Sequence, residues 1–68
     1  MSSWIPEHQR NLAQQQVDQK FEIIKQLQKQ INAIREEENV NEPYIRSLQK
    51  KIERIRDDIA ILHPFLVL

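Results

Sequence analysis

Between Ile45 and Leu62 an isoleucine or leucine returns at steps of three, four, three, four and three: Ile45, Leu48, Ile52, Ile55, Ile59, Leu62. Steps of that kind bracket the 3.6-residue turn of an α-helix, so all six side chains fall in one stripe. A stripe this regular is the seam of a helix made to lie against another helix. A second stripe precedes it. Ala13, Val17, Phe21, Ile24, Leu27, Ile31 and Ile34 also recur at threes and fours, with Leu12 and Ile23 beside them.

The residues between the stripes read as a break. Glu36, Glu37 and Glu38 meet the negative end of a helix dipole, which promotes fraying. Asn39 is a residue type that can take the left-handed conformation that ends a helix. Asn41 is a good N-cap, with Pro43 in the first turn behind it. At the start, Ser2 and Ser3 can cap and Pro6 belongs in a first turn; at the end, Pro64 disfavours helix at His63. The sequence therefore predicts one domain over residues 1–68, with helix one at about 7–38, a turn at about 39–42, helix two at about 43–62 and an apolar tail at 64–68.

So short a connection makes the helices antiparallel neighbours. Partners across the seam should then share one residue-number total. Ile34 with Ile45, Ile31 with Leu48, Leu27 with Ile52, Ile24 with Ile55 and Val17 with Leu62 all add to 79, as do Ala13 with Leu66. Lys20 falls opposite Ile59, with Phe21 beside it. The expected fold is all-α: an antiparallel two-helix coiled-coil hairpin. In that hairpin the tail lies at the same end as Trp4 and Ile5, and the two groups are expected to close the open end.

Size argues for a second copy. A unit of 68 residues rarely buries enough apolar surface alone, and small domains add disulfides, metal or subunits. Cysteine is absent, which removes disulfides and thiolate metal sites. Phe21 and Ile23 lie on opposite sides of the first seam, and Tyr44 and Ile61 lie beyond the second. Pairing two hairpins into a four-helix bundle would cover such flanks, so a homodimer is expected, a hetero-complex being the other solution. Phe21 and Ile23 join the seam residues as the expected hairpin and dimer core.

Other totals exclude function classes. With 10 Lys+Arg against 10 Asp+Glu, the formal net charge is zero, which argues against a chain whose main work is coating nucleic acid. Glycine is absent, so glycine-rich phosphate loops and glycine-dependent β-hairpin turns are ruled out. No apolar run approaches the ~18 residues of a membrane span, and the N-terminus lacks the basic-then-apolar pattern of a secretion signal. No membrane partner and an intracellular, cytoplasmic setting are the expectations.

No catalytic constellation is visible, and no cofactor is expected. Ser47 has no histidine at helical spacing. The carboxylates Glu36–Glu38 and Asp57–Asp58 are adjacent on helix surfaces, where solvation rather than a shifted pair is the ordinary state. His8 and His63 could approach at the open end, four in a dimer, but a surface residue and a helix-end cation are the simpler roles. Arg46, Lys50 and Arg54 recur every four residues with Lys51 alongside, a stripe able to contact phosphates. Glu53, Asp57 and Asp58 on the same helix favour a mixed solvated face, and no aromatic residues interleave for stacking. Trp4, Ile5, Phe65, Leu66, Val67 and Leu68 are candidates to dock a partner, against the simpler role of completing the core.

The segment Ile24–Ile59 resembles, in outline, the small helical-hairpin phosphatases that act on sporulation response regulators: two helices, a proline-containing connection, then leucine-type spacing. Their second helix carries Ser-Gln-x-Leu-Asp. The matching run here is Gln49-Lys50-Lys51-Ile52-Glu53, which lacks the serine and the aspartate, so the activity does not carry over. The expected function is a non-enzymatic protein–protein interaction and oligomerisation module. A nucleic-acid-binding regulator stands second and a phosphatase-like regulator of a signalling protein third.

Overall fold

The computed structural model describes residues 7–66. Trp4, Ile5, Val67 and Leu68 lie outside the described residues. Two α-helices, α1 (Glu7–Arg35) and α2 (Glu42–Leu62), fold back on each other, and a single 3₁₀ turn, His63–Phe65, follows. No strand occurs among the described residues. The molecule measures 57 × 15 × 11 Å, and its described residues form one layer of paired helices. Globular domains ordinarily pack two layers around a core.

The seam forms as the residue spacing anticipates. Ile31, Ile45, Leu48 and Ile52 make the buried cluster, with Ile24, Leu27 and Ile34 packed against it. This places the tightest packing at the turn end; Ile31 and Ile45 are each 1 % exposed. A second buried pair, Ala13 and Val17, lies towards the open end. Between the two regions the seam is looser, and Lys20, Ile55 and Ile59 are only partly buried.

The turn differs from expectation in two respects. Helix α1 stops at Arg35 rather than about residue 38, so the connection is 36–41 instead of 39–42. No described residue has a positive φ, so Asn39 does not end the helix in the left-handed conformation. The last turn tightens instead: Glu36 N–H donates to Ala33 O (3.2 Å) and Glu37 N–H to Ile34 O (3.1 Å). Such i→i−3 bonds are an alternative way to satisfy a helix's last carbonyls. The three carboxylates at the dipole's negative end supply the reason for stopping early.

Helix α2 opens on Asn41. Its Oδ1 accepts from Tyr44 N–H at 3.2 Å, and its carbonyl accepts from Ile45 N–H at 3.1 Å. Pro43 sits in the first turn, where its missing N–H costs nothing. At the other end α2 stops at Leu62, and Pro64 is taken into the 3₁₀ turn, which Leu66 N–H closes on His63 O at 2.9 Å. That turn packs on both helices. It carries Phe65 back over the start of α1, which is the longer helix by 29 residues to 21.

Candidate interaction surface

The seam residues fix which way every other side chain faces. Phe21 and Ile23 flank the seam on opposite sides. Both are exposed in the single chain, 55 % and 49 %, so neither belongs to the hairpin's own core. A two-helix layer buries one stripe per helix, and residues beside the stripe stay wet unless a further layer covers them.

Grooves along the helix pair show which flanks share a face. Gln9, Leu12, Ala13 and Gln16 of α1 line one of about 290 Å³ together with Leu62 and Phe65. Gln16 and Lys20 line another, of about 220 Å³, with Asp58, Ile61 and Leu62. Leu12, Ile61 and Phe65 therefore lie on the face marked by Gln16. The helical spacing puts Ile23 one heptad after Gln16, and Tyr44 two heptads before Asp58, on that same face. The reverse face is marked by Gln28, Gln49, Glu53 and Arg56, which line a polar groove beside Ile52. Phe21 stands one heptad before Gln28 on that polar side.

The exposed large apolar side chains are thus unevenly shared. Leu12, Ile23, Tyr44, Ile61 and Phe65 stand on one broad face, Phe21 on the other, and Val40 in the turn. Ile61 is the most open of them at 69 %. The sequence names these residues as flanks; that five of them converge on one face emerges only when the two helices are set in register.

Among the tail candidates, Phe65 is exposed on this face and Leu66 is partly buried. The basic candidates Arg46, Lys50, Lys51 and Arg54 are all exposed on α2. Among the described residues none of the four is in an ion pair, and Lys20 pairs with Asp58 across the helices. Ser47 Oγ donates to Tyr44 O at 2.8 Å, a local bond within the helix. His8 and His63 are exposed, and among the described residues no group of three or more His, Cys, Asp or Glu is placed to hold a metal ion. The run Gln49–Glu53 lies within α2, with Gln49, Ile52 and Glu53 along the polar groove. No helix of the described residues is long and apolar enough to cross a membrane.

The chain matches no family model, no curated protein and no solved structure.

Proposed function

We propose that the chain is a non-enzymatic protein–protein interaction and oligomerisation module, a small adaptor or regulator whose hairpin pairs with a second hairpin to form a four-helix bundle. The observation that carries this is area. A globular monomer of this mass, 8.2 kDa, exposes about 4,500 Å². The hairpin exposes 5538 Å². The excess, about 1,000 Å², is close to the ~800 Å² that each partner contributes to a standard stable interface. The large apolar side chains standing on one face supply the matching chemistry, since each gains free energy when a partner covers it.

Sedimentation equilibrium on the full chain tests the reading. A self-associating species of twice the chain mass at micromolar concentration is the expected result. A folded single copy throughout that range would overturn it.

A second reading rests on the exposed cations Arg46, Lys50, Lys51 and Arg54, which form no ion pair among the described residues. A dimer that leaves these side chains uncovered would present the stripe twice, in the manner of a duplex-binding regulator. Titration against duplex DNA and RNA at two salt concentrations separates the readings. Binding that weakens with salt and vanishes in Arg46→Glu/Lys50→Glu favours the second; no binding at low salt removes it.

A further inference from the structure

One flank of α1 carries no charge along its whole length. Its polar positions are Gln9, Gln16, Gln19, Gln26 and Gln30. Its remaining positions are Leu12, Ile23 and Ala33, and all eight side chains are exposed. The charges of α1 lie elsewhere: Arg10 and Lys20 in the seam rows, and Glu7, Asp18, Glu22, Lys25, Lys29 and Arg35 on the other side of the helix. Solvated helix faces ordinarily carry charge, and its depletion is the compositional mark of an interface centre. Gln26 Nε2 donates to Glu22 Oε1 at 3.2 Å, whereas Gln9, Gln16, Gln19 and Gln30 make no side-chain hydrogen bond among the described residues. These four amides are free to bond outward.

On the same face α2 offers Tyr44, Ser47, Lys51, Arg54, Asp58 and Ile61. Its middle is therefore charged and its ends are apolar. Glutamine suits such a partner, because its amide both donates and accepts and so can answer an ammonium, a guanidinium or a carboxylate.

Resting on the dimer reading above, we propose that the occupant of this face is a second copy of the chain, related by a two-fold axis along the hairpin's length. The flank of α1 then covers α2 of the other copy, antiparallel and near the register of the hairpin's own seam. Leu12 lies level with Phe65 of the other copy, and Ile61 of that copy falls between the levels of Leu12 and Ile23. Gln26 and Gln30 come level with Arg54 and Lys51, and Gln19 with Asp58. At the turn end the small Ala33 leaves room for Tyr44. Leu12 meets Phe65, Ile23 comes level with the aliphatic stem of Arg54, amides meet charges, and no like charges are opposed. The alternative two-fold, across the hairpin, would set α2 against α2 and its cations against each other. In the pairing proposed, both turns lie at one end of the bundle, and Phe21 stays in solvent.

The experiment combines sedimentation with a proximity probe. The chain has no cysteine, so Val40→Cys labelled with pyrene reports the two turns alone. Excimer emission at concentrations where the protein is dimeric is the expected result. Ile23→Lys and Gln26→Lys should each raise the dimer dissociation constant at least about tenfold, while Phe21→Lys leaves it within about twofold. Circular dichroism confirms that each variant keeps its helix content. A dimer without excimer overturns the axis. A dimer broken by Phe21→Lys and indifferent to Ile23→Lys and Gln26→Lys overturns the face. A wild-type chain that never associates overturns the dimer reading itself.

Discussion

The ammonium of Lys20 lies 3.6 Å from Oδ2 of Asp58, tying α1 to α2 at the level where the aliphatic seam is interrupted. By register the lysine occupies a seam position opposite Ile59. Its side chain is 28 % exposed, so its stem stays against the helix pair while the charged end reaches Asp58, itself 55 % exposed. A pair this open contributes at most about 1 kcal/mol.

Lys20→Leu should therefore stabilise the hairpin. A leucine buried at that level gains roughly 1.5–3 kcal/mol, more than the ion pair it removes. The expected net is about 1 kcal/mol, or a melting temperature higher by about 4–8 °C for a chain of this length. Thermal denaturation followed by circular dichroism measures it. A lower melting temperature would show that the bridge matters more than the seam.

Truncation should separate the seam from its flanks. Ile45→Ala removes a side chain that is 1 % exposed and should cost about 2–5 kcal/mol. Phe21→Ala removes one that is 55 % exposed and should cost no more than about 0.5 kcal/mol. Urea melts of the two variants beside wild type at one protein concentration make the comparison.

Loss of the α2 cap should be visible alone. Asn41→Ala deletes the acceptor for Tyr44 N–H and should cost about 1 kcal/mol, whereas Asn41→Asp, which keeps an acceptor oxygen, should stay close to wild type. Hydrogen exchange at Tyr44 would quicken in the first variant and not in the second.

Charge reversal after α1 should do the opposite. Glu37→Lys exchanges an unfavourable charge at the negative end of the dipole for a favourable one, for a gain of about 0.3–1 kcal/mol. The gain should shrink in about 1 M salt, where charges are screened beyond roughly 3 Å. A gain unchanged by salt would point to some cause other than the dipole.

The seam was legible in the sequence because one physical rule governs it: apolar side chains at helical spacing need a partner stripe, and a short link lets only one register satisfy both. The turn was less legible. Asn39 has the chemistry of a left-handed helix stop, yet the last turn of α1 satisfies its carbonyls by tightening, an outcome set by backbone geometry that residue type does not encode. The surface was legible only in parts. Ile23 and Tyr44 could be read as flanking residues, but placing them on one face requires knowing how the two helices are rolled against each other. The glutamines of α1 carried a signal that composition hid, since their meaning lies in the absence of charge from a single row.

The bend from Glu36 to Asn41 demands no glycine and no strained backbone. Its length can therefore drift at small thermodynamic expense, since doubling a loop costs only about 0.6 kcal/mol of closure entropy. Extra residues, or a whole grafted peptide, could be spliced between Glu38 and Asn39 while the interlocked ribs below stay undisturbed. The tip is thus the place where a descendant of this molecule could acquire a new specificity without relearning how to fold.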